Sequence, residues 1–547
     1  MTLDFSSRRS AWWSYLLGCV ALVMLVSQFR FFWMSNDDVA MSFIVDGGGQ
    51  VLTPGPHLVL TNIAWGYFAY GLHLLGDPFA YATSIYFGLA LSYIALVYAF
   101  FHSKVNHALA ALALFCVYLP TVINPQHTLV AGYLAFAGIA LLCNSIERHL
   151  LVGGAVACLL LLLSSLVRWD ETAFVMLVVT PLCWNYMSMA WKSPERHRWL
   201  GLAAAACAAG IGFLLLDYLT FGLGEWREFA DTYGYVMLFS DFGVAGYFNS
   251  HPAALRGSGF TLSDLALFSH WFYCDTQVFV PQRLAELLQH LTWSERIASN
   301  LKHVRNIFRA FDREFMVFLS MALLLLVAHR RRWQMLASLV VLTLLMLLLA
   351  AAGRPGIVRV YLPVLAAMLM LGMFEFQVRT WLWSLLIGVA ILFINGRYLM
   401  DLHHSNLVRQ AASRHVRAAT CALPKDSLLI NWGSSYPFTL NFLPFGSRDT
   451  TCNLNFYGLG EYSLAPFALE HLHRYTGGKD LVPALLSGQS FDIFANRGEL
   501  LSLQDYFQRH YGAELHIESS PVSTEFHLYR IHIAAPLAAA LAPVTAH

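Results

Sequence analysis

The sequence predicts a polytopic α-helical membrane protein of about eleven spans, followed by a small extracytoplasmic α/β domain at the C-terminal end. Three observations support this fold class. Of the 547 residues, 57% are hydrophobic. Only 12% are charged, whereas soluble domains average roughly 25%. Apolar runs of spanning length recur up to residue 396, and the chain beyond them is polar.

Eleven apolar runs come close to the roughly 20 residues that a spanning helix requires. They are 11–34, 82–103, 106–123, 128–144, 150–167, 172–190, 199–221, 313–329, 333–352, 357–376 and 380–396. No small-residue cleavage site follows the first run, so we expect an uncleaved span and not a removed signal peptide. The formal net charge of +1 provides no basic field that would recruit nucleic acid.

The segment 58–76 is apolar and long enough to span, but polar and glycine residues interrupt it. The basic residues favour one topology, because they collect in cytoplasmic loops. If 58–76 is a juxtamembrane helix on the outer surface, the cytoplasmic side receives Arg8, Arg9, Lys104, Arg148, Lys192, Arg196, Arg198, Arg330, Arg331, Arg332 and Arg379. If it crossed the membrane, the cluster 330–332 would be translocated. We therefore predict a cytoplasmic N-terminus and an extracytoplasmic C-terminus.

This topology brings the unusual polar residues to one side of the membrane. The doublet Asp37-Asp38 directly follows the first span, and the segments 124–127, 168–171 and 353–359 lie on the same outer face. The loop 222–312 is also outside and is too long to be a simple connector. All of these segments belong to a predicted transmembrane domain that covers residues 1–399.

Residues 400–533 are predicted to form the extracytoplasmic α/β domain. Segments 428–430, 491–494 and 525–533 are typical of strands, and 500–510 is typical of a helix. The tail 534–547, rich in Ala and Pro, is predicted to be disordered. Cys421 and Cys452 lie in this polar part, and their spacing leaves open whether they form a disulfide.

Asp37 and Asp38 are the candidate catalytic residues. Ionisable groups at a membrane boundary are costly and usually mark function, and a carboxylate there can take a proton from an attacking hydroxyl. The alternative is an ordinary solvated charge at the end of a helix. A doublet set directly against the membrane favours the functional interpretation.

Arg168, Arg354 and Arg359 are candidates to bind a phosphate, since a guanidinium holds phosphate oxygens in a bidentate manner. The alternatives are an ion pair that anchors a helix end, or a side chain that extends along the interface to reach water. Further candidates for lining a substrate cavity are His57, Gln126, His127, Asp170, Glu171, Trp271 and Asp275. The nine cysteines show no CxxC or CxxH spacing, so we assign no metal ligands.

A first span, an Asp doublet in the first outer loop, a juxtamembrane helix and many further spans together resemble the GT-C glycosyltransferases. The likeness covers the whole architecture, and it also includes Ser35-Asn36-Asp37-Asp38-Val39 and the segments 53–58 and 61–62. Better-known members are the protein O-mannosyltransferases and the lipid A aminoarabinose transferase. This chain lacks the Asp-Glu form of the doublet that is common in both, which leaves the acceptor open.

The resemblance implies a polyprenyl-phosphate-linked sugar as donor, with Asp37 or Asp38 as the base and a basic residue on the donor phosphate. It also implies an envelope glycan, lipid or protein as acceptor, and a location in the bacterial inner membrane with a periplasmic C-terminal domain. Some relatives require a divalent metal. The expected function is therefore an inverting glycosyltransferase.

The alternative function is a transporter or flippase of a lipid-linked envelope precursor. A transporter would show charged or Gly/Pro-broken positions near the middle of several spans. In this sequence the ionisable groups gather at one surface instead, which favours the transferase.

Overall fold

The computed structural model describes residues 5–533 apart from 290, 303, 306, 308–310, 329–331, 355, 375–380, 447–453 and 521–525. Several predictions lie outside this set, namely those for Arg330, Arg331 and Arg379, for Cys452, and for the tail 534–547. The side chains of Arg8 and Arg9 are likewise not described.

The chain begins with eight helices. They are α1 (Phe5–Val26), α2 (Asn36–Asp46), α3 (Ile63–Leu74), α4 (Ala80–Phe101), α5 (His107–Ile123), α6 (His127–Glu147), α7 (Leu151–Lys192) and α8 (Arg196–Phe221). Short helices follow: α9 (Glu225–Ser240), α10 (Val244–Ser250), a 3₁₀ turn (Pro252–Leu255), α11 (Leu262–Ser269), α12 (Pro281–Gln289) and α13 (Trp293–Lys302). The last long helices are α14 (Arg313–Ala328), α15 (Arg332–Ala351), α16 (Val358–Phe374) and α17 (Trp381–Cys421).

Six helices of the described chain are long and apolar enough to cross a membrane. They are Ala80–Phe101, His127–Glu147, Leu151–Lys192, Arg196–Phe221, Arg332–Ala351 and the segment Leu385–Cys421. Three shorter apolar helices accompany them, at Ser10–Val26, His107–Ile123 and Val358–Phe374. The chain is thus a multi-span helical protein, while the count of eleven and the orientation of the termini remain predictions.

Helix α7 contains two of the predicted spans, because the chain reverses within it. Arg168 is the one residue inside α7 with non-helical backbone angles (φ −162°, ψ 103°). The first half runs antiparallel to α6, since Gly153 lies against Ser145 and Gly138 against Ala157. The second half runs back alongside α6 and brings Cys183 to 3.8 Å from Cys143. The reversal places residues 168–171 beside the start of α6.

Helix α3 falls within the segment predicted to be juxtamembrane. Its 12 residues measure about 18 Å at 1.5 Å per residue, well short of the roughly 30 Å of a bilayer core. Asn62 caps its first turn by accepting a hydrogen bond from the Ala64 amide at 3.0 Å. The Ile63 amide also donates to Asp217 on α8 at 2.8 Å, so polar contacts hold this helix against the bundle.

The segment predicted as an outer loop, 222–312, folds as helices that pack on the C-terminal sheet. Buried Asp264 on α11 accepts hydrogen bonds from Arg509 and His510, which lie on a helix of the C-terminal part. Farther along, buried Asp275 accepts hydrogen bonds from the hydroxyls of Tyr506 at 2.7 Å and Tyr511 at 2.6 Å. These contacts fix the segment between the helix bundle and the sheet.

A continuous helix, α17, connects the bundle to the C-terminal part. Its 41 residues run through position 400, where the sequence predicts a domain boundary. The apolar run ends near that position, but the backbone does not break, because the following residues are still compatible with a helix. Cys421 at its end is disulfide-bonded.

The C-terminal part contains a five-stranded sheet in the order β2-β1-β3-β5-β4. Its strands are β1 (Leu428–Trp432), β2 (Asn455–Leu459), β3 (Phe491–Phe494), β4 (Leu515–Ser520) and β5 (Leu528–Ile533). Helices α18 (Phe438–Asn441), α19 (Pro466–Thr476), α20 (Leu481–Leu486) and α21 (Arg497–Tyr511) complete it. Strand β1 pairs in parallel with β2 and β3, while β5 pairs antiparallel with β3 and β4.

The sequence predicted three of these strands and helix α21, but not β2 and β4. Strand β2 contains Gly458 and begins with Asn455, two residue types that are depleted in strands. Strand β4 is exposed over its last three residues, so it has no alternation of buried and exposed side chains that would reveal it. In both cases pairing with a neighbouring strand overrides a weak local preference.

Candidate active site

A cavity of about 200 Å³ lies where the helix bundle, the helices of 222–312 and the carboxyl ends of β1 and β2 meet. We call it the central cavity. Its polar and aromatic lining residues are Asn36, Asp37, Phe43, Gln50, Arg168, Asp241, Trp271, Arg354, Arg359, Asn431, Ser434, Phe438, Phe456, Tyr457, Glu461 and Tyr462. Four of the residues predicted for catalysis or phosphate binding therefore share one cavity, namely Asp37, Arg168, Arg354 and Arg359.

Asp37 faces this cavity and is paired with Arg359. The guanidinium Nη1 of Arg359 donates to Asp37 Oδ2 at 2.9 Å, and about a quarter of each side chain is exposed. Both aspartates lie in the first turn of α2. Because adjacent helical residues point about 100° apart, only one member of the doublet can face the cavity.

Asp38 points into the protein and is fully buried. Four hydrogen bonds converge on its carboxylate: from Ser35 Oγ at 2.6 Å, from the Tyr81 hydroxyl at 3.0 Å, and from the amide and Nδ1 of His127, both at 3.1 Å. Burial by itself raises the pKa of Asp38, but the adjacent His127 and the hydrogen bonds from His127 and Ser35 outweigh it and lower the pKa. Asp38 is thus a saturated acceptor and not an available base.

His127 connects Asp38 to Arg168. Arg168 Nη1 donates to His127 Nε2 at 3.2 Å and to Thr128 Oγ1 at 2.9 Å. A guanidinium has no acceptor, so Nε2 accepts and Nδ1 carries the hydrogen that faces Asp38. Arg168 Nε also donates to Asp170 at 3.0 Å. The buried aspartate therefore orients a histidine that in turn holds an arginine at the cavity wall.

Arg354 reaches the cavity from the loop between α15 and α16. Its Nη2 lies 3.1 Å from Asp241 Oδ2, and its guanidinium lies 5.3 Å from the Phe242 ring centroid. The preceding Gly353 has φ +97°, and a Cβ there would come within 2.1 Å of the Phe242 carbonyl oxygen. Only glycine fits this approach, so Gly353 allows Arg354 to reach its position.

Glu461 is a cavity residue that the sequence analysis did not identify. It follows β2, and the Tyr233 hydroxyl donates to its Oε1 at 3.3 Å. Burial, and then the charges of Asp37 and Asp241, raise the pKa of Glu461 to about 8. Its local signal was Gly458-Leu459-Gly460-Glu461, an acidic residue after glycines at the carboxyl end of a strand, which is a preferred ligand position in parallel sheets.

Tyr462 beside it also lines the cavity. Its side chain is 8% exposed, and its hydroxyl has no hydrogen-bond partner within the described part of the chain. A buried hydroxyl without a partner costs free energy, and this one borders the space that a substrate would fill. The central cavity thus offers an uncommitted polar atom besides its charged groups.

The remaining predicted residues lie near the central cavity or outside it. Gln126 is buried behind His127 and caps α6, and Asp170 holds Arg168 from outside the lining. Glu171 is buried beside Gly132. Trp271 lines the cavity.

His57 and Asp275 take part in other contacts. His57 stacks on Trp226 at a ring-centroid distance of 4.8 Å, in a neighbouring cavity of about 910 Å³. Asp275 binds Tyr506 and Tyr511, away from the central cavity.

The charged groups of the cavity suit an anionic ligand. Three guanidinium groups face three carboxylates, those of Asp37, Asp241 and Glu461. With the pKa of Glu461 near 8, its carboxyl is largely protonated at neutral pH, so the residues that line the cavity carry one positive charge in excess. Over the described residues, no three His, Cys, Asp or Glu side chains come together as a metal site would need, so no step is assigned to a metal ion.

Comparisons with known proteins give a likeness to two crystal structures of one protein. No family model and no curated protein matches this chain. It is similar to a crystal structure of ArnT from Cupriavidus metallidurans bound to undecaprenyl phosphate, at 12% identity and a TM-score of 0.37 over 94% of this chain and 97% of that one. The apo structure gives 12% identity and a TM-score of 0.38 over 96% and 99%.

Replacing Glu461 by Gln is expected to stabilise the protein at alkaline pH. Between pH 4.5 and about 8 the unfolded chain has lost the proton that folded Glu461 still holds, so wild-type stability falls as the pH rises through that window. The neutral amide removes this cost, which we expect to be on the order of 1–3 kcal/mol at pH 8. Thermal unfolding of the detergent-solubilised protein from pH 5 to 9 measures it. Exposed Glu514→Gln is the control, and an unchanged pH profile in Glu461→Gln would contradict the assigned pKa.

Proposed function

We propose that this protein is an inverting glycosyltransferase, which moves a sugar from a polyprenyl-phosphate donor to a hydroxyl acceptor at the outer face of the cytoplasmic membrane. One observation carries the proposal. A carboxylate from α2 and three guanidinium groups, one from α7 and two from the segment 354–359, meet in one cavity beside a bundle of apolar helices. Sugar transfer from a lipid phosphate needs a base, a phosphate site and access to lipid. The lining residues supply candidates for the first two, and we propose that the donor enters beside the apolar helices.

Asp37 is the base in this mechanism. Its carboxylate takes the proton of the acceptor hydroxyl as that oxygen attacks C1 of the sugar. The bond between C1 and the phosphate oxygen breaks, and its electron pair leaves with the polyprenyl phosphate. A single displacement inverts the anomeric carbon. Asp38 cannot take this role, because its oxygens already accept four hydrogen bonds away from the cavity.

The arginines stabilise the departing phosphate. Arg359 is paired with Asp37 and Arg354 with Asp241. A donor phosphate that binds Arg359 competes with Asp37 for the same guanidinium and leaves that carboxylate free to accept a proton. Guanidinium groups held in place before the reaction stabilise the charge that develops on the leaving group without reorganisation. The base is thus released when the donor is in place.

The proposal is tested by incubating the purified full-length protein, in liposomes, with a panel of radiolabelled polyprenyl-phosphate sugars. We expect release of the sugar from at least one donor, either to water or to an added acceptor extract. If the labelled lipid crosses the bilayer and keeps its sugar, the protein is a flippase and the transferase proposal is wrong. Release of sugar with retention of the anomeric configuration would contradict the single displacement.

Arg359→Lys is expected to raise the KM for the donor at least tenfold. This corresponds to a loss of about 1.4 kcal/mol in binding free energy. Lysine keeps the charge but loses the two parallel hydrogen bonds that a guanidinium gives to phosphate. Initial rates with the donor identified above measure the effect. Arg283→Lys, an exposed arginine on α12, is the matched control, and equal donor KM values for the two variants would remove Arg359 from the phosphate site.

A further inference from the structure

We propose that the acceptor is a carbohydrate, and that it binds in a groove which leads from the central cavity across the carboxyl ends of β1 and β3. The groove is defined by Trp271, Ser434, Ser435, Asn496, Glu499 and His527, and we call it the acceptor groove. The assignment of an acceptor rests on the proposed transferase function. The groove itself is a feature of the sheet and its neighbouring helices, and its geometry does not depend on that function.

A second chamber of about 440 Å³ continues the central cavity. The two share Trp271, Gly433 and Ser434 in their linings, so a ligand can extend from one into the other. The chamber adds Ser435 from the turn after β1, Asn496 from the turn after β3, and Glu499 from the first turn of α21. An acceptor longer than one sugar would place its reacting hydroxyl near Asp37 and its remaining units in the chamber.

The position of the groove follows from the sheet topology. Strand β1 lies between β2 and β3 and is parallel to both. The chain that leaves β1 enters β2 on one side, and the chain that leaves β2 crosses to β3 on the other side. A crevice opens at the carboxyl ends of the strands where such an order reverses, and ligands of parallel sheets bind there. The acceptor groove occupies this crevice.

Trp271 stands at the junction of the two chambers in an unusual backbone conformation. Its φ is +73°, and among the other non-glycine residues of the described chain only His149 also has a positive φ. The amide of Phe272 donates to Leu267 O at 3.0 Å, and Trp432 Nε1 donates to His270 O at 2.6 Å. Trp271 thus occupies the left-handed position after the end of α11 that is usually taken by glycine. A large aromatic at a position that favours glycine indicates a role for its ring.

The composition of the groove favours a neutral, hydroxyl-rich ligand. An indole face packs on the apolar side of a sugar ring, while serine, asparagine, glutamate and histidine side chains offer both donors and acceptors to hydroxyls. Ser435 Oγ is buried and has no partner within the described residues. Among the described residues, no Lys or Arg lines the chamber, which contrasts with the central cavity and disfavours a phosphate or an anionic lipid.

A peptide acceptor fits this groove less well. Peptides bind sheets by adding a strand to a free edge, but β1 is paired on both sides, and β3 lies between β1 and β5. The groove crosses the ends of these strands and offers no edge for pairing. Recognition must therefore come from side chains and turn residues, as suits a sugar.

The first test is binding. The full-length Asp37→Asn protein, in detergent micelles, is applied to an array of printed neutral oligosaccharides, phosphorylated oligosaccharides and peptides. We expect capture by a subset of neutral oligosaccharides, at least tenfold weaker binding for an added Trp271→Gly substitution, and retention of binding for Trp271→Phe. Glycine suits the backbone at this position, so loss of binding reports the ring and not unfolding. Exposed Trp333→Ala is the control.

Capture by peptides or only by phosphorylated sugars, no capture at all, or equal binding of Trp271→Gly and the parent would each overturn the proposal. The second test separates it from the proposed function. His527→Ala, in the lining of the second chamber, is expected to raise the acceptor KM about tenfold, whereas exposed Trp333→Ala is expected to leave the acceptor KM and the hydrolysis of the donor by water unchanged. If no donor is used by the wild type while Trp271-dependent sugar binding persists, the groove stands as a carbohydrate site and the transferase proposal fails.

Discussion

Asp37→Asn is expected to lower sugar transfer by a hundred- to ten-thousandfold while the protein remains folded. An amide cannot accept the proton of the acceptor hydroxyl, and a positioned general base contributes about that much to a rate. The fold should be kept, because Asp37 is partly exposed and its ion pair with Arg359 borders the cavity. Initial rates with a labelled donor, together with the thermal unfolding temperature, measure both effects.

Asp231→Asn provides the matched control for this substitution. Asp231 lies on α9, its side chain is 62% exposed, and its pairing with Arg227 is 3.8 Å long. We expect wild-type rates for this variant. Full activity of Asp37→Asn would exclude Asp37 as the base, and a loss of donor binding in place of a loss of rate would make it a binding residue.

Asp38→Ala is expected to destabilise the protein by about 3–5 kcal/mol, because it removes a buried charge whose partners stay behind. The hydroxyl of Tyr81 and the amide and Nδ1 of His127 would then face an empty space in the core. At neutral pH the whole contribution of Asp38 is present. Since its pKa is lowered in the folded state, that contribution is lost only as the pH falls below the ordinary aspartate range. Unfolding of the solubilised protein measures the change.

Asp37→Ala, one residue away, is the control for Asp38→Ala, and we expect it to cost less than about 1 kcal/mol. Asp38→Asn should fall between the two, because the amide oxygen can still accept from His127 while Ser35 turns to accept from the amide nitrogen. Equal stability of Asp37→Ala and Asp38→Ala would contradict the division of the doublet into a cavity residue and a buried residue.

The two substitutions separate roles that are adjacent in sequence. Asp37 acts at the cavity, whereas Asp38 holds His127, and His127 holds Arg168 at the cavity wall. Loss of Asp38 should therefore also weaken donor binding, through the displacement of Arg168. Such an indirect effect is distinguishable from loss of the base because it raises the donor KM, while loss of the base lowers kcat.

The sequence by itself determined the multi-span helical class and singled out residues 37 and 38 as candidates, because hydropathy and local charge depend on neighbours along the chain. The same local patterns predicted β1, β3, β5 and α21. It did not distinguish Asp37 from Asp38, since the face of α2 that meets the cavity depends on what packs against it. Nor did it place Asp275 with Tyr506, or identify Glu461, whose raised pKa comes from burial and from Asp37 and Asp241.

Only the tertiary structure decided which charges meet. Arg359 and Asp37 are separated by 322 positions along the chain, and Glu461 joins them from the sheet that follows the last span. Short-range preferences specify where helices and strands form. These preferences do not determine which helices and strands contribute residues to the same cavity. That depends on the packing of the helices and on the reversal of the chain at Arg168.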